Sequence, residues 1–122
     1  MEKQIKYYEN GTTVRLIEGD TQVLPIDVFD FYGSPADLSG AQALFHLMEF
    51  STRSHIWTKE FTPVFDIRGD IPNIKYPYTV MVTLDTDGLM GHYIGQLELV
   101  DHSGNSKRPF EIEIIISKWA GE

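Results

Sequence analysis

From Gly91 to Ser117 the chain alternates apolar and polar positions in two runs separated by a polar turn. In the first run Tyr93, Leu97 and Leu99 share one face, and His92, Gln96 and Glu98 share the other. In the second run Phe110, Ile112, Ile114 and Ile116 oppose Glu111 and Glu113. A period of two is that of a strand with one buried face, so the pattern predicts two strands. Between them lies Asp101–Asn105, DHSGN, whose side chains bond locally to backbone and whose glycine accepts positive φ. The whole segment reads as a β-hairpin.

The same pattern recurs along the chain. Gln4–Tyr8 and Thr12–Glu18 flank Asn10-Gly11, a short-hairpin signal. In Thr21–Phe31 the residues Leu24, Ile26 and Val28 fall on one face. Pro25 lacks an N–H for a ladder, so it belongs at a sheet edge or a bulge. Tyr32-Gly33-Ser34-Pro35 is a turn, and Leu38 in the following link is the one large apolar residue able to plug a core. Ala41–Phe50 is rich in helix formers, but Ala41, Ala43, Phe45 and Leu47 alternate with Gln42 and His46, so it is assigned as a strand. Ile56–Phe61 and Thr79–Leu84 alternate likewise. Segment 62–77, with three prolines, is irregular, and long irregular segments in small domains are often functional. Trp119 is expected to fold back over the sheet.

These elements describe one domain, 1–122, an all-β antiparallel sandwich of about seven to nine strands, immunoglobulin-like or jelly-roll-like. Leu84-Asp85 leading through Gly88 and Gly91 to Tyr93 resembles, at slightly long spacing, the tyrosine corner of immunoglobulin-like domains, so Gly91 and Tyr93 are expected to be structural residues along with Leu38.

Charge and composition narrow the partners. A formal net charge of −8 sets up a field that repels phosphates and anionic lipid, so neither nucleic acid nor membrane insertion is expected. The absence of cysteine removes disulfides and thiolate metal sites. The start, MEKQIKYYENG, lacks the apolar core of a signal peptide, so Asn10-Gly11-Thr12 reads as a turn and not as a glycosylation site.

Catalytic chemistry is not apparent. His46, His55, His92 and His102 are scattered without metal-ligand spacing, so no metal and no cofactor are expected. Asp85-Thr86-Asp87-Gly88 resembles the start of a calcium loop but lacks a third acid before the glycine, and Gln96 stands where a bidentate glutamate belongs. No G-x-S-x-G elbow or phosphate loop is present, and no carboxylate sits in an apolar setting that would raise its pKa. The chain therefore reads as a non-enzyme. Aromatics are the remaining candidates for contact: Trp57, Phe65, Tyr76 and Tyr78, with Phe31 and Tyr32 flanking a turn.

Several of these turns occur together in a recognisable order. Gly19-Asp20-Thr21 enters a strand, Asp30–Pro35 fits Asp-x-x-Gly-x-Pro, and Asp37-Leu38-Ser39-Gly40-Ala41 opens the next strand. Gly91-His92-Tyr93, the turn Asp101–Gly104 and the isoleucine-rich Ile112–Ile116 close the chain. In this the chain resembles the amino-terminal domain of phage baseplate upper proteins, and is similar to the shoulder domains of receptor-binding proteins. The resemblance implies a virion structural module of the tail tip or baseplate, made in the host cytoplasm, that helps assemble the host-recognition apparatus. Its implied partners are other phage tail or baseplate proteins, and a homo-oligomer is compatible with it. The chain stops after the last strand, without a multimerisation helix or distal attachment domain, and segment 62–77 is longer than the family pattern. An accessory or decoration protein is therefore a further expectation. The alternative is a carbohydrate-binding or host-adhesion domain that contacts the bacterial cell wall, with Trp57, Tyr76 and Tyr78 as stacking platforms.

Overall fold

A computed structural model describes residues 10–30, 32–65 and 75–118. The described residues form seven strands: β1 (Thr13–Ile17), β2 (Thr21–Asp27), β3 (Gln42–Glu49), β4 (His55–Phe61), β5 (Thr79–Asp85), β6 (Gly91–Val100) and β7 (Ser106–Ser117). Among the described residues there is no helix. Ala41–Phe50, where helix propensity and alternation compete, is β3: Ala43, Phe45 and Leu47 are fully buried between half-exposed Leu44, His46 and Met48. Burial of one face on a sheet outweighs the few tenths of a kcal/mol per residue that propensity offers.

The strands form a five-stranded sheet of order β1-β7-β6-β3-β4 and a two-stranded sheet, β2-β5. Packed face to face, the two make a β-sandwich. Leu24 and Ile26 of β2 and Val80, Val82 and Leu84 of β5 meet Phe45, Leu47, Leu97, Ile112 and Ile114 of the larger sheet in one core. Removing this apolar surface from water is the main stabilising term. The order β7-β6-β3-β4 corresponds to G-F-C-C′ of the variable-type immunoglobulin sandwich. A jelly roll, with eight strands in two sheets, would divide differently.

Strand β1 lies parallel to β7, with Thr13 opposite Glu113 and Ile17 opposite Ser117. The expected hairpin about Asn10-Gly11 has its first arm, Gln4–Tyr8, outside the described residues. Asn10 and Gly11 themselves are stitched to β7: the Glu111 N–H donates to Asn10 Oδ1 at 2.8 Å, and the Gly11 N–H donates to the Glu111 carbonyl at 2.8 Å. Phe31 and Trp119 likewise lie outside the described residues.

Both strand prolines sit where no ladder hydrogen bond is lost. Pro25 faces Met81 in unbroken register on β2, whose only strand neighbour among the described residues is β5. It is buried, although the alternation places it opposite the core face. Pro109 marks a bulge in β7. Leu97 pairs with Phe110 and Leu99 with Lys107, so Arg108 and Pro109 together face Glu98 alone.

The loops fall at two ends. One end carries the β2–β3 connection, the β6–β7 turn and the flanks of the β4–β5 connection, of which residues 66–74 of segment 62–77 lie outside the described residues; the other carries the β1–β2, β3–β4 and β5–β6 turns. At the second end the Tyr93 hydroxyl donates to the Met90 carbonyl at 2.8 Å, the bond of a tyrosine corner, beside Gly91 at φ 125°. Thr86 is fully buried there, and its Oγ1 lies 2.9 Å from the Ile17 carbonyl and 2.6 Å from that of Asp20, tying this turn to the β1–β2 turn. The acidic stretch Asp85–Gly88 is therefore a packing turn with Thr86 directed inward.

Candidate binding surface at the loop end

The β2–β3 connection is built by two aspartates. Asp30 Oδ1 accepts the N–H groups of Tyr32 at 2.9 Å and Ser34 at 3.0 Å, and Phe29 bridges back to Pro35. Asp37 Oδ1 accepts the Ser39 N–H at 2.9 Å. Between these turns Leu38 is buried, its N–H donating to the Pro77 carbonyl at 2.9 Å. The β6–β7 turn repeats the device, because Asp101 Oδ1 accepts the N–H groups of Ser103 and Asn105, each at 2.9 Å. Asparagine and aspartate replace missing backbone partners in this way, which holds the loops in fixed shapes.

A cleft of about 320 Å³ opens between the two connections. Its floor is Val28, Leu38 and Leu99, and Asp37, Asp101 and Lys107 stand around it. The Ser39 hydroxyl and then its backbone N–H hold the Asp37 carboxyl below the usual range. The Asn105 N–H does the same for Asp101. Both stay ionised at neutral pH, the direction opposite to that needed by a general acid. The cleft offers fixed negative charge, one cation and an apolar floor, which suits recognition of polar or cationic groups.

Aromatics project around this end. Tyr32 is 88% exposed, Phe65 58% and Phe29 46%, the last tilted against Tyr78 with centroids 6.2 Å apart. Of the aromatics singled out from the sequence, Phe65 is thus a surface residue. Tyr76 is half-buried, and its hydroxyl donates to the Pro35 carbonyl at 2.9 Å, where it braces the β2–β3 connection. Tyr78, at 1% exposure, is a core residue and offers no face to an external ligand. Trp57 lies elsewhere on β4, half-buried beside Phe45 at 6.3 Å between centroids, with Lys59 Nζ 4.6 Å above its ring. These four residues form no shared platform. Tyr32 and Phe29, on the β2–β3 connection, are exposed, as only Phe65 of the four is.

The outer face of the larger sheet holds a second arrangement that strand-by-strand alternation does not reveal. His46 Nε2 is 2.7 Å from Glu98 Oε1, and its Nδ1 is 2.7 Å from Thr58 Oγ1, which His55 Nε2 also meets at 2.7 Å. Ser106 and Arg108 complete the Glu98 carboxylate, the latter at 3.7 Å. The bonds from Ser106 and then His46 hold Glu98 below the ordinary glutamate range. As Glu98 is ionised, the His46 ring donates to it from Nε2. Arg53 reaches Glu111 at 2.6 Å from a left-handed backbone, φ 57°, and His92 bonds Glu113. The polar groups named here are bonded to one another, which makes them a connected network. Among the described residues no group of three or more His, Cys, Asp or Glu side chains is arranged to hold a metal ion.

At the far end the Phe50 ring stacks on His92, 3.8 Å between centroids and 4° from parallel, beside exposed Met90. These residues border a shallow hollow of about 450 Å³. No helix among the described residues is long and apolar enough to cross a membrane. Comparison of the chain with protein-family models, curated proteins and solved structures finds no match.

Proposed function

We propose that this protein is a non-enzymatic virion structural module of the phage tail tip or baseplate, which docks onto neighbouring tail proteins through its loop end. The observation that carries the reading is how the shared turn sequences are used. Asp30, Asp37 and Asp101 each spend a carboxylate oxygen on closing a loop, and Leu38 and Tyr93 lock the ends of the sandwich. The residues of the resemblance to baseplate upper proteins are thus scaffold residues, as expected of a structural domain. What they hold outward is Phe29, Tyr32 and Phe65, large apolar groups of the kind that anchor protein interfaces.

The direct test is mass spectrometry of virions purified from cells that make the protein. The reading expects it in the particle at a fixed ratio to other tail proteins. Abundance in the infected-cell lysate with none in the particle would overturn it.

A second reading, adhesion to cell-wall glycan, is favoured by the cleft, where an apolar floor and fixed polar groups could take a sugar ring. It rests on Phe29, Asp37 and Asp101 and no longer on Tyr78. Cell-wall binding that survives high salt and is lost in Asp101→Ala would promote it over docking.

A further inference from the structure

We infer that the outer edge of β4 pairs with β4 of a second copy of this chain, antiparallel about Thr58, so that two five-stranded sheets join into one. Strand β4 ends its sheet, with β3 on one side and no strand on the other among the described residues. Five of its seven residues, His55, Ile56, Thr58, Lys59 and Glu60, are exposed. No proline blocks the edge. An uncovered row of N–H and C=O groups is a template for another strand.

The opposing sheet adds a second reason. Among the described residues it has two strands, of which β5 touches β4. Phe45 and Leu47 on β3 are fully buried, whereas Trp57 and Phe61, opposite Leu47 and Ala43 on β4, are only half-buried. Apolar surface on the inner side of β4 is left for a neighbour to cover.

The sequence of β4 says which neighbour. Antiparallel pairing about Thr58 sets Trp57 of each copy opposite Lys59 of the other and Ile56 opposite Glu60. Lys59 already stands 4.6 Å over the indole of its own strand, so the cation and ring of two copies would alternate along one face. Moving the centre to Lys59 places lysine against lysine. Moving it to Trp57 places His55 against Lys59 and leaves Glu60 and Phe61 beyond the paired strand. An odd shift sets inner residues against outer ones, which a two-fold axis normal to the sheet forbids. An inward lysine on an edge strand ordinarily repels other strands, and this register, the one centred on the middle of the strand, gives it an aromatic partner.

The chain has no cysteine, so single-cysteine variants of the full chain report the register directly. Thr58→Cys brings two thiols together at the axis, whereas Glu60→Cys leaves them apart; both positions are exposed. Under mild oxidation at equal concentration, Thr58→Cys is expected to form disulfide-linked dimer at least about tenfold faster. Circular dichroism checks that both variants fold. Sedimentation velocity of the unmodified chain supplies a measurement free of substitution: its coefficient should rise with concentration, and Lys59→Glu should reduce that rise. Equal cross-linking rates, or a coefficient independent of concentration, would overturn the inference.

Discussion

Gly95 shows how closely single positions in this sandwich are fixed. A Cβ built there would lie 2.4 Å from Phe45 Cζ and 3.0 Å from Ile114 Cδ1, so the glycine exists to admit the Phe45 ring across the centre of the larger sheet. Gly95→Ala should destabilise the fold by about 1–3 kcal/mol, the usual cost of overpacking, seen as a lower urea midpoint with an unchanged slope. Tyr93→Phe removes the hydroxyl bonded to the Met90 carbonyl while keeping the buried ring. A loss of about 1 kcal/mol is expected in the same measurement. Glu98 yields a pH prediction. Its pKa is lowered in the folded state, chiefly by the Ser106 hydroxyl and then by His46. Its contribution is therefore fully present above the unfolded-state value and is lost as pH falls through the folded one. Glu98→Gln should be less stable than the parent at pH 7, and the gap should narrow as the medium is acidified below the ordinary glutamate range. Urea midpoints at several pH values would show it.

At the scale of elements, the strands were legible from the sequence and their neighbours were less so. The period of two reveals which residues of β3, β5, β6 and β7 face inward because one-sided burial writes itself into each strand separately. It does not reveal that β1 runs parallel to β7, since that pairing joins Thr13 to Glu113, a hundred residues on. The same holds for His46 and Glu98, which meet across β3 and β6, with the bulge at Pro109 locally altering the β6–β7 register around Glu98. Trp57, Phe65, Tyr76 and Tyr78 are candidates from sequence because aromatics in or near irregular segments tend to be contacts. Chemistry alone could not separate Phe65, which is exposed, from Tyr78, which the core absorbs. The turns were the most legible feature, because an aspartate two to four residues before the N–H it accepts acts locally. The Asp101→Ala change should accordingly cost about 1 kcal/mol and loosen the β6–β7 turn, read as faster amide exchange at Ser103 and Asn105.

For the whole molecule, these parts describe a sandwich whose turns and core fix its shape and whose exposed aromatic groups are gathered largely at one end. If that end docks onto tail proteins, its exposed side chains should matter for assembly and hardly at all for folding. Tyr32 at 88% exposure and Phe65 at 58% lend themselves to this separation, because their removal uncovers little core. The decisive measurement is incorporation of a Tyr32→Ser/Phe65→Ser variant into virions, quantified by mass spectrometry beside its thermal unfolding curve. Docking through the loop end predicts incorporation reduced at least about tenfold, a loss of about 1.4 kcal/mol or more in binding, with the unfolding midpoint essentially unchanged. A variant that folds equally well and enters the particle at the parent level would contradict it.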